Sequence, residues 1–321
     1  MMILRPNGSR AGAHKVIVNL APGESVSRIG RILQQRHVVR SAEGFVLAAR
    51  LEGVENRLVA GRYELSPAMS PTQLAQLIAA GATADDFVTI PEGFTAAQVA
   101  SRLARHGIGS GIQDRELVFW GGKKFVMGSY HPGPNLEGYL FPDTYRFPVG
   151  TTASDAITEM LDNFQNKVRD TGLLELAPGQ IRSTIILASL VEKEAEVDGD
   201  RPLIAAVLKN RLRLGMRLDC DATIQYTLPA HRTRLFYTDL KHPGPYNTYL
   251  HGGLPPTPIA NPGLASIRAA LAPAHVGYLY YVARANGTHI FTDSLADHDR
   301  AIRSLRSNNV NKTQNSEGHS L

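Results

Sequence analysis

The sequence contains a single cysteine, Cys220, among its 321 residues. An internal disulfide bond is therefore excluded. Because Leu218 and Ile224 flank Cys220 and no partner lies at a metal-ligand spacing, we expect a buried and unreactive thiol. Scarce cysteine is compatible with either side of a cell membrane, so this absence alone does not locate the protein.

Long hydrophobic runs are also missing. No stretch approaches the roughly 18 consecutive apolar residues that a membrane-spanning helix requires. The opening residues, MMILRPNGSRAGAHK, lack the apolar segment and the small-residue cleavage site of a secretion signal. Taken at face value, these absences describe a soluble chain that is not exported.

Several catalytic motifs are absent as well. There is no HExxH, and His289 and His298 stand nine residues apart, which is not a metal-ligand spacing, so no metal site is expected. The sequence has no GxSxG motif and no evident Cys–His pair for covalent catalysis. It also lacks a P-loop and a GxGxxG motif. The remaining chemistry is acid–base catalysis by carboxylates.

The composition describes a globular protein that can bury a sizeable core, since 43% of the residues are hydrophobic and 20% are charged. The length corresponds to about two domains. A formal charge of +5 suits an anionic polymer or a membrane surface, but it equally serves solubility. No basic and aromatic motif of the nucleic-acid-binding kind is present, so we expect no nucleic-acid partner.

The first half predicts a small α+β module. Alternating apolar residues from Val16 to Leu20 indicate a strand, and Ser25 is placed to cap the helix that follows. A second helix (SAEGFVLAARL), a strand (LVAGRYELS) and a helix from Ser70 complete a β-α-α-β-α order over residues 14–81. A second strand–turn–helix segment follows at residues 87–104, with Thr95 as its cap. We assign residues 82–134 to a connecting subdomain that ends in a Gly/Pro-rich hinge, HPGPN.

The second half, residues 135–306, mixes helices and strands without regular βαβ alternation, so the fold class is α+β. Its predicted order is a helix from residue 153, a helix ending near Glu194, a helix from about Pro202, a long loop, a short helix, the strands YLYYVA and HIFTD, and a last helix. The polar segment 307–321 has the composition of a disordered tail.

One helix carries the strongest functional signal. The stretch TIILASLVEKEA, residues 184–195, has no glycine or proline and is long enough for a helix. At about 100° per residue, Glu194 falls near the middle of the stripe that Leu187 and Leu190 form, while Glu192 and Glu196 point to the opposite side. A solvated helix end explains Glu192 and Glu196 but not Glu194. A carboxyl among aliphatic side chains has a raised pKa, as a proton donor near neutral pH requires.

Two other segments could contact a ligand. The stretch LEGYLFPDTYRFP combines Glu137 with aromatic residues, a mixture that suits a carbohydrate groove; the alternative is a proline-pinned turn with its aromatic residues in the core. The 21-residue loop at 243–263, which contains Tyr246 and Asn247, is long for a simple connection. We interpret it as a cleft wall, with a rigid surface loop as the alternative.

The blocks LEGYLFPDTY, SLVEKEA, NRLRLGMRLDCDATIQY, YNTYLHGGLPPTPIANPG and YLYYVA…HIFTDSLADHD together resemble the endolytic murein transglycosylase (YceG-like) family from about residue 14 to 305. The resemblance implies a LysM-like module before the catalytic domain. It also implies a lyase that cuts nascent peptidoglycan strands internally, between N-acetylmuramic acid and N-acetylglucosamine. The family's catalytic glutamate, the last Glu of the EKE motif, corresponds to Glu194.

Under this resemblance Glu194 is the sole general acid and base, and no metal or cofactor is implied. We expect Glu137, Tyr246 and Asn247 to line the glycan cleft near Glu194, and we expect Glu192→Gln to have little effect. The competing interpretation is a peptidoglycan-binding scaffold without catalytic activity.

The resemblance also carries an expectation about location and partners. Family members normally have an N-terminal transmembrane helix, whereas this chain begins just before the first strand of the LysM-like module. Because glycan strands are polymerised outside the cytoplasmic membrane, we expect the native protein to be tethered to the plasma membrane by a helix that this chain does not contain. The catalytic domain would then face outward, near the glycan-polymerising synthases.

Overall fold

The computed structural model describes residues 6–7, 14–81, 86–108, 130, 135–148, 151–228, 230 and 232–317. The helices within these residues are α1 (Val26–Gln35), α2 (Ala42–Leu51), α3 (Pro71–Ala79), α4 (Ala96–Arg105), α5 (Ala153–Val168), α6 (Pro178–Glu194), α7 (Arg201–Arg213), α8 (Asp221–Thr227), α9 (Leu264–Leu271) and α10 (Leu295–Glu317). The strands are β1 (Val16–Leu20), β2 (Gly61–Leu65), β3 (Asp86–Thr89), β4 (Thr144–Phe147), β5 (Tyr280–Ala283) and β6 (His289–Thr292). The mixture confirms an α+β fold.

The strands pair locally rather than in one large sheet. Each described sheet is an antiparallel pair: β1 with β2, β3 with β4, and β5 with β6. In the last pair Tyr281 lies opposite Phe291. Since successive side chains of a strand point to opposite faces, this register places Tyr281 and Phe291 on one face and Tyr280 on the other.

The chain folds as two compact units. The first draws on Met1–Thr89, Leu103–Gly111 and Thr144–Ala156, and the second on Ile90–Arg102, Ile112–Asp143 and Ile157–Leu321. The predicted division at residues 81, 134 and 306 stays a prediction. The hinge predicted at 131–135 and the second half of the predicted connecting subdomain lie largely outside the described residues.

The first unit contains the β-α-α-β-α order that the sequence predicts for residues 14–81. Local signals fix it: Ser25 and Ser41 each accept a hydrogen bond from the backbone N–H three residues on, which satisfies an amide that the helix leaves free. One face of the β1–β2 pair is closed by the three helices. The resulting hydrophobic core includes Val18, Leu33, Phe45, Tyr63, Leu65, Leu74 and Ile78.

The second unit is organised around α6. Pro178 begins this helix, and the run from Ile185 to Val191 is buried on every side because α7 and α9 both pack against it. A helix buried all round has no solvent face over these turns. Cys220, as expected, is a free and buried thiol in this unit.

Burial of α6 corrects one expectation. Glu192 does not reach solvent: its side chain is only 6% exposed, and its carboxylate accepts hydrogen bonds from Gly263 N–H and the Ser266 hydroxyl while pairing with Arg201. Glu196, by contrast, is exposed as expected. The helical period alone assigned Glu192 to the solvent side because it could not show that α9 covers that side.

Two further observations complete the fold. Helix α10 continues to Glu317, through most of the segment for which the composition predicts disorder; no glycine or proline interrupts Leu295–Glu317. Within the described ranges, no helix is both long enough and apolar enough to cross a membrane.

Candidate active site

Glu194 is the last residue of α6, where the helix leaves the apolar core. Its Oε2 atom accepts a hydrogen bond from the Tyr281 hydroxyl at 3.1 Å. The backbone of Ala222, in the first turn of α8, also acts on the Glu194 carboxyl and lowers its pKa.

The Glu194 carboxyl borders a cavity of about 390 Å³. The residues that line it come from four helices, one strand and two loops: Glu194, Arg211, Leu218, Asp219, Asp221, Tyr249, Tyr280, Tyr281, Leu295 and His298. Most of these side chains are polar or aromatic, as in sites that bind sugars by hydrogen bonds and ring contacts. The cavity therefore offers a concave polar surface with one partly buried acid at its wall.

Burial raises the pKa of Glu194 above the usual value for a glutamate, and the negative charge of Asp221 raises it further. The hydrogen bond from Tyr281, the backbone of Ala222 and the nearby His289 act in the opposite direction. Burial is the largest of these effects, so the protonated form is favoured. A carboxyl with a raised pKa holds its proton at higher pH than an ordinary glutamate, and it can donate this proton and take it back afterwards.

The Tyr281 side chain, which bonds Glu194, is itself fixed by neighbouring residues. Its ring meets the His289 ring edge-on at 5.4 Å, and His289 is fixed by Asp200, whose Oδ2 atom contacts both the Nδ1 and the backbone N–H of His289. Burial raises the pKa of the Tyr281 hydroxyl well above its usual value. The hydroxyl therefore keeps its proton and stays a hydrogen-bond donor to Glu194.

A second carboxylate reaches the cavity from the start of α8. Asp221 is exposed, and its Oδ1 atom accepts a hydrogen bond from the Tyr249 hydroxyl at 2.6 Å. The neighbouring Asp219 instead forms an ion pair with Arg211 at 3.2 Å. Arg211 is further fixed by hydrogen bonds to the carbonyl groups of Leu279 and Leu218.

Glu137 does not line this cavity, contrary to our expectation. It is 2% exposed, and its carboxyl accepts hydrogen bonds from the Ala96 N–H at 2.9 Å, the Asn261 amide and the Tyr226 hydroxyl. It thus satisfies the N-terminal amide of α4 inside the protein. The alternative for LEGYLFPDTYRFP is confirmed: its aromatic residues Tyr139, Phe141 and Tyr145 are buried.

The buried Glu137 carboxyl is expected to make the stability of the protein depend on pH. Burial raises the pKa of Glu137 to about 8, against 4.5 for an ordinary glutamate. The folded protein then binds this proton more tightly than the unfolded chain, so the contribution of Glu137 to the free energy of unfolding is full below pH 4.5 and is lost as the pH rises to about 8. Urea unfolding of Glu137→Gln should show a flatter decline over this interval than the parent protein. Parallel profiles would contradict the assignment.

Tyr246 and Asn247 are also placed away from the cavity lining. Asn247 is 3% exposed; its amide donates to the carbonyl groups of Leu240 and His242, and its Oδ1 atom accepts from the Tyr249 N–H. The Tyr246 hydroxyl bonds to Thr257. These contacts make Asn247 an organiser of the loop rather than a surface for a ligand.

The loop at 243–263 nevertheless contributes to the site through Tyr249, three residues after Tyr246. Sequence reasoning missed Tyr249, Asp221 and Tyr281, although each lies in a block that carries the family resemblance. The structure places the second acid of LDCDATIQY, Asp221, at the start of α8, a helix that the sequence analysis does not predict.

No group of three or more His, Cys, Asp or Glu residues with metal-binding geometry occurs among the residues that the structure describes. The Nδ1 atom of His289 forms a hydrogen bond with Asp200. The cavity combines a carboxyl whose pKa is raised with two further acids and hydroxyl donors, an arrangement that suits acid–base chemistry.

Comparison with known proteins places the chain in a family. The model of the YceG-like family matches residues 18–304, and the chain belongs to this family. It is 34% identical over 304 residues to the endolytic murein transglycosylase of Bacillus subtilis (strain 168), covering 89% of this chain and 83% of that protein. These matches confirm the resemblance that the sequence blocks carry.

Two further relatives extend the comparison. The chain is 28% identical over 318 residues to the endolytic murein transglycosylase of Streptococcus pneumoniae serotype 2 (strain D39 / NCTC 7466), and it spans 58% of that longer protein. The crystal structure of a putative yceG-like protein from Listeria monocytogenes superposes with a TM-score of 0.58 at 33% identity, covering 90% of this chain and 100% of that one.

Proposed function

We propose that this protein is a lytic transglycosylase that cleaves peptidoglycan glycan strands internally. The bond cleaved would lie between N-acetylmuramic acid and N-acetylglucosamine, and the product would carry a 1,6-anhydromuramic end. One observation carries the proposal: a glutamate with a raised pKa, Glu194, borders a polar cavity at the position of the family's EKE motif. Membership of the YceG-like family and relatives named endolytic murein transglycosylase support it.

Glu194 would act twice in this reaction. As an acid it protonates the glycosidic oxygen, and the bond between that oxygen and the anomeric carbon of muramic acid breaks. As a base it then takes the proton of the muramic acid C6 hydroxyl, whose oxygen forms the new bond to the anomeric carbon. Glu194 ends in its starting protonation state, and no water is consumed. The raised pKa of Glu194 suits this order, since the acid must hold its proton first.

The same proposal covers the setting of the enzyme. Its partners would be the nascent glycan strands and the synthases that polymerise them, at the outer side of the plasma membrane, because the polymer exists only there. The segment from β1 to β2 would serve as a LysM-like module that binds the glycan strand.

Mass spectrometry of digested, uncrosslinked glycan strands tests the proposal. The expected products have anhydromuramic ends, which are lighter than hydrated reducing ends by one water, and intermediate lengths that show internal cleavage. Hydrated reducing ends would identify a muramidase instead. An absence of cleavage would leave the non-catalytic scaffold.

A further inference from the structure

Asp221 is one of the two aspartates that line the cavity with Glu194, and the two proton transfers of the proposed reaction do not use it. We propose that Asp221 is a catalytic carboxylate that stabilises the positive charge developing on the muramic acid ring as the glycosidic bond breaks. This inference rests on the proposed function and adds a residue to it.

The position of Asp221 is tied to that of Glu194. Asp221 begins α8 and lines the same cavity as Glu194, and its charge lies close enough to raise the pKa of Glu194. The two acids therefore border one cavity. A sugar held close enough to take a proton from Glu194 lies within reach of the Asp221 charge.

A short chain of contacts orients Asp221. The Tyr249 hydroxyl donates to its Oδ1 atom, and the Tyr249 backbone is held at both ends: its N–H donates to Asn247 Oδ1 at 2.9 Å and its carbonyl accepts from Arg217 at 2.6 Å. Burial and the bond to Asp221 raise the pKa of Tyr249, so its hydroxyl remains a donor. These contacts give the buried Asn247 a role: it positions the residue that holds Asp221.

The charges around the cavity distinguish Asp221 from the nearby Asp219. The titratable or charged groups that face the two acids are Arg211, Asp219, Cys220, Tyr249, Tyr280, Tyr281, His289 and His298. Arg211 pairs with Asp219 and so offsets its charge. In the described part of the chain, the recorded hydrogen-bond partner of the Asp221 carboxylate is the neutral Tyr249 hydroxyl. Asp221 thus keeps an uncompensated negative charge at the cavity.

Such a charge has a defined use in glycoside chemistry. When the glycosidic oxygen departs with the bonding electrons and the Glu194 proton, positive charge spreads over the anomeric carbon and the ring oxygen. A fixed carboxylate beside the ring favours this state over the neutral substrate, and it needs no reorganisation as the charge appears. Asp221 neither gains nor loses a proton, and the C6 oxygen of the sugar, not Asp221, forms the new bond.

Asp221→Asn tests the inference. Asparagine keeps an acceptor oxygen for Tyr249 and removes only the charge, so kcat should fall at least about tenfold while KM changes little. Because the Asp221 charge raises the pKa of Glu194, its removal should also move the high-pH limb of the activity profile to lower pH. Tyr281→Phe, which removes a hydrogen bond that lowers the same pKa, should move this limb to higher pH.

Asp162→Asn is the matched control, since Asp162 is an exposed residue of α5 outside the cavity, and it should retain the parental kcat. An Asp221→Asn protein with parental kcat would overturn the inference. So would a covalent glycosyl adduct on Asp221 detected by mass spectrometry, which would make this residue a nucleophile. A parent protein that forms no anhydromuramic ends would refute the proposed function instead. Titration of the Glu194 carboxyl by ¹³C NMR, without substrate, measures the effect of the Asp221 charge in either case.

Discussion

Replacing Glu194 by glutamine is expected to abolish glycan cleavage, with a loss of at least about 10²-fold in turnover. Glutamine has the size of glutamate and can still accept a hydrogen bond from Tyr281, but it can neither give a proton to the glycosidic oxygen nor take one from the C6 hydroxyl. The rate of release of anhydromuramic products from uncrosslinked strands measures the effect.

The fold of Glu194→Gln should be intact. Because burial raises the pKa of Glu194, ionising this carboxyl costs free energy in the folded state, and a neutral amide avoids that cost. The thermal midpoint at neutral pH should therefore equal or exceed that of the parent. A loss of activity that came with unfolding would not count as support.

Glu196→Gln is the control for this experiment. Glu196 follows the same helix by two residues, is exposed, and does not line the cavity, so its amide variant should keep full activity. The structure favours Glu196 over Glu192 for this purpose because Glu192 is buried in an ion pair. A Glu194→Gln protein that retained more than about a tenth of the parental turnover would show that another group supplies the proton.

Local signals in the sequence were sufficient for much of the fold. The strand alternation at Val16–Leu20, the serine cap at Ser25 and the glycine- and proline-free run to Glu194 each depend on residues a few positions apart. Their physical causes, side-chain period and satisfaction of the first helical amides, act over the same short range. The structure confirms each of these elements.

For polar side chains in turn-rich segments, local signals could not predict whether the side chain faces a ligand or the protein interior. Glu137 and Asn247 have the chemistry of ligand-binding residues, but each meets its donors and acceptors inside the protein. The residue type determines which hydrogen bonds a side chain can form, but only the tertiary structure shows which partners it bonds. Asn247 bonds within its own loop, whereas Glu137 bonds an amide 41 positions away.

The sequence also could not assign several residues of the site, because their partners lie far away along the chain. Tyr281 reaches Glu194 across 87 positions of sequence, and Tyr249 reaches Asp221 across 28. The helical period of α6 could place Glu194 on an apolar stripe, but it held no information on which distant side chains complete its surroundings.

Truncating Glu192 is expected to cost stability rather than chemistry. The Glu192 carboxylate, 6% exposed, pairs with the Arg201 guanidinium at 3.3 Å, and Arg201 is itself only 9% exposed. Glu192 also accepts the Gly263 N–H and the Ser266 hydroxyl. Glu192→Ala would leave a buried arginine without its buried partner, and such a change typically costs 3 to 5 kcal/mol, so we expect a loss of about 3 kcal/mol in the free energy of unfolding.

The lower end of that range follows from the other contacts of Arg201. Asp198 and Glu92 also pair with Arg201, but their side chains are 87% and 50% exposed, so solvent screens both and they replace Glu192 only in part. Urea unfolding measures the loss, and Glu196→Ala, at an exposed position two residues beyond the end of the same helix, should change the free energy of unfolding by less than about 0.5 kcal/mol. Glu192→Leu combined with Arg201→Met should recover part of the stability, because it removes both buried charges together. If Glu192→Ala were as stable as the Glu196→Ala control, the ion pair would not contribute to the fold, and Glu192 would be the solvated acid that its helical period predicts.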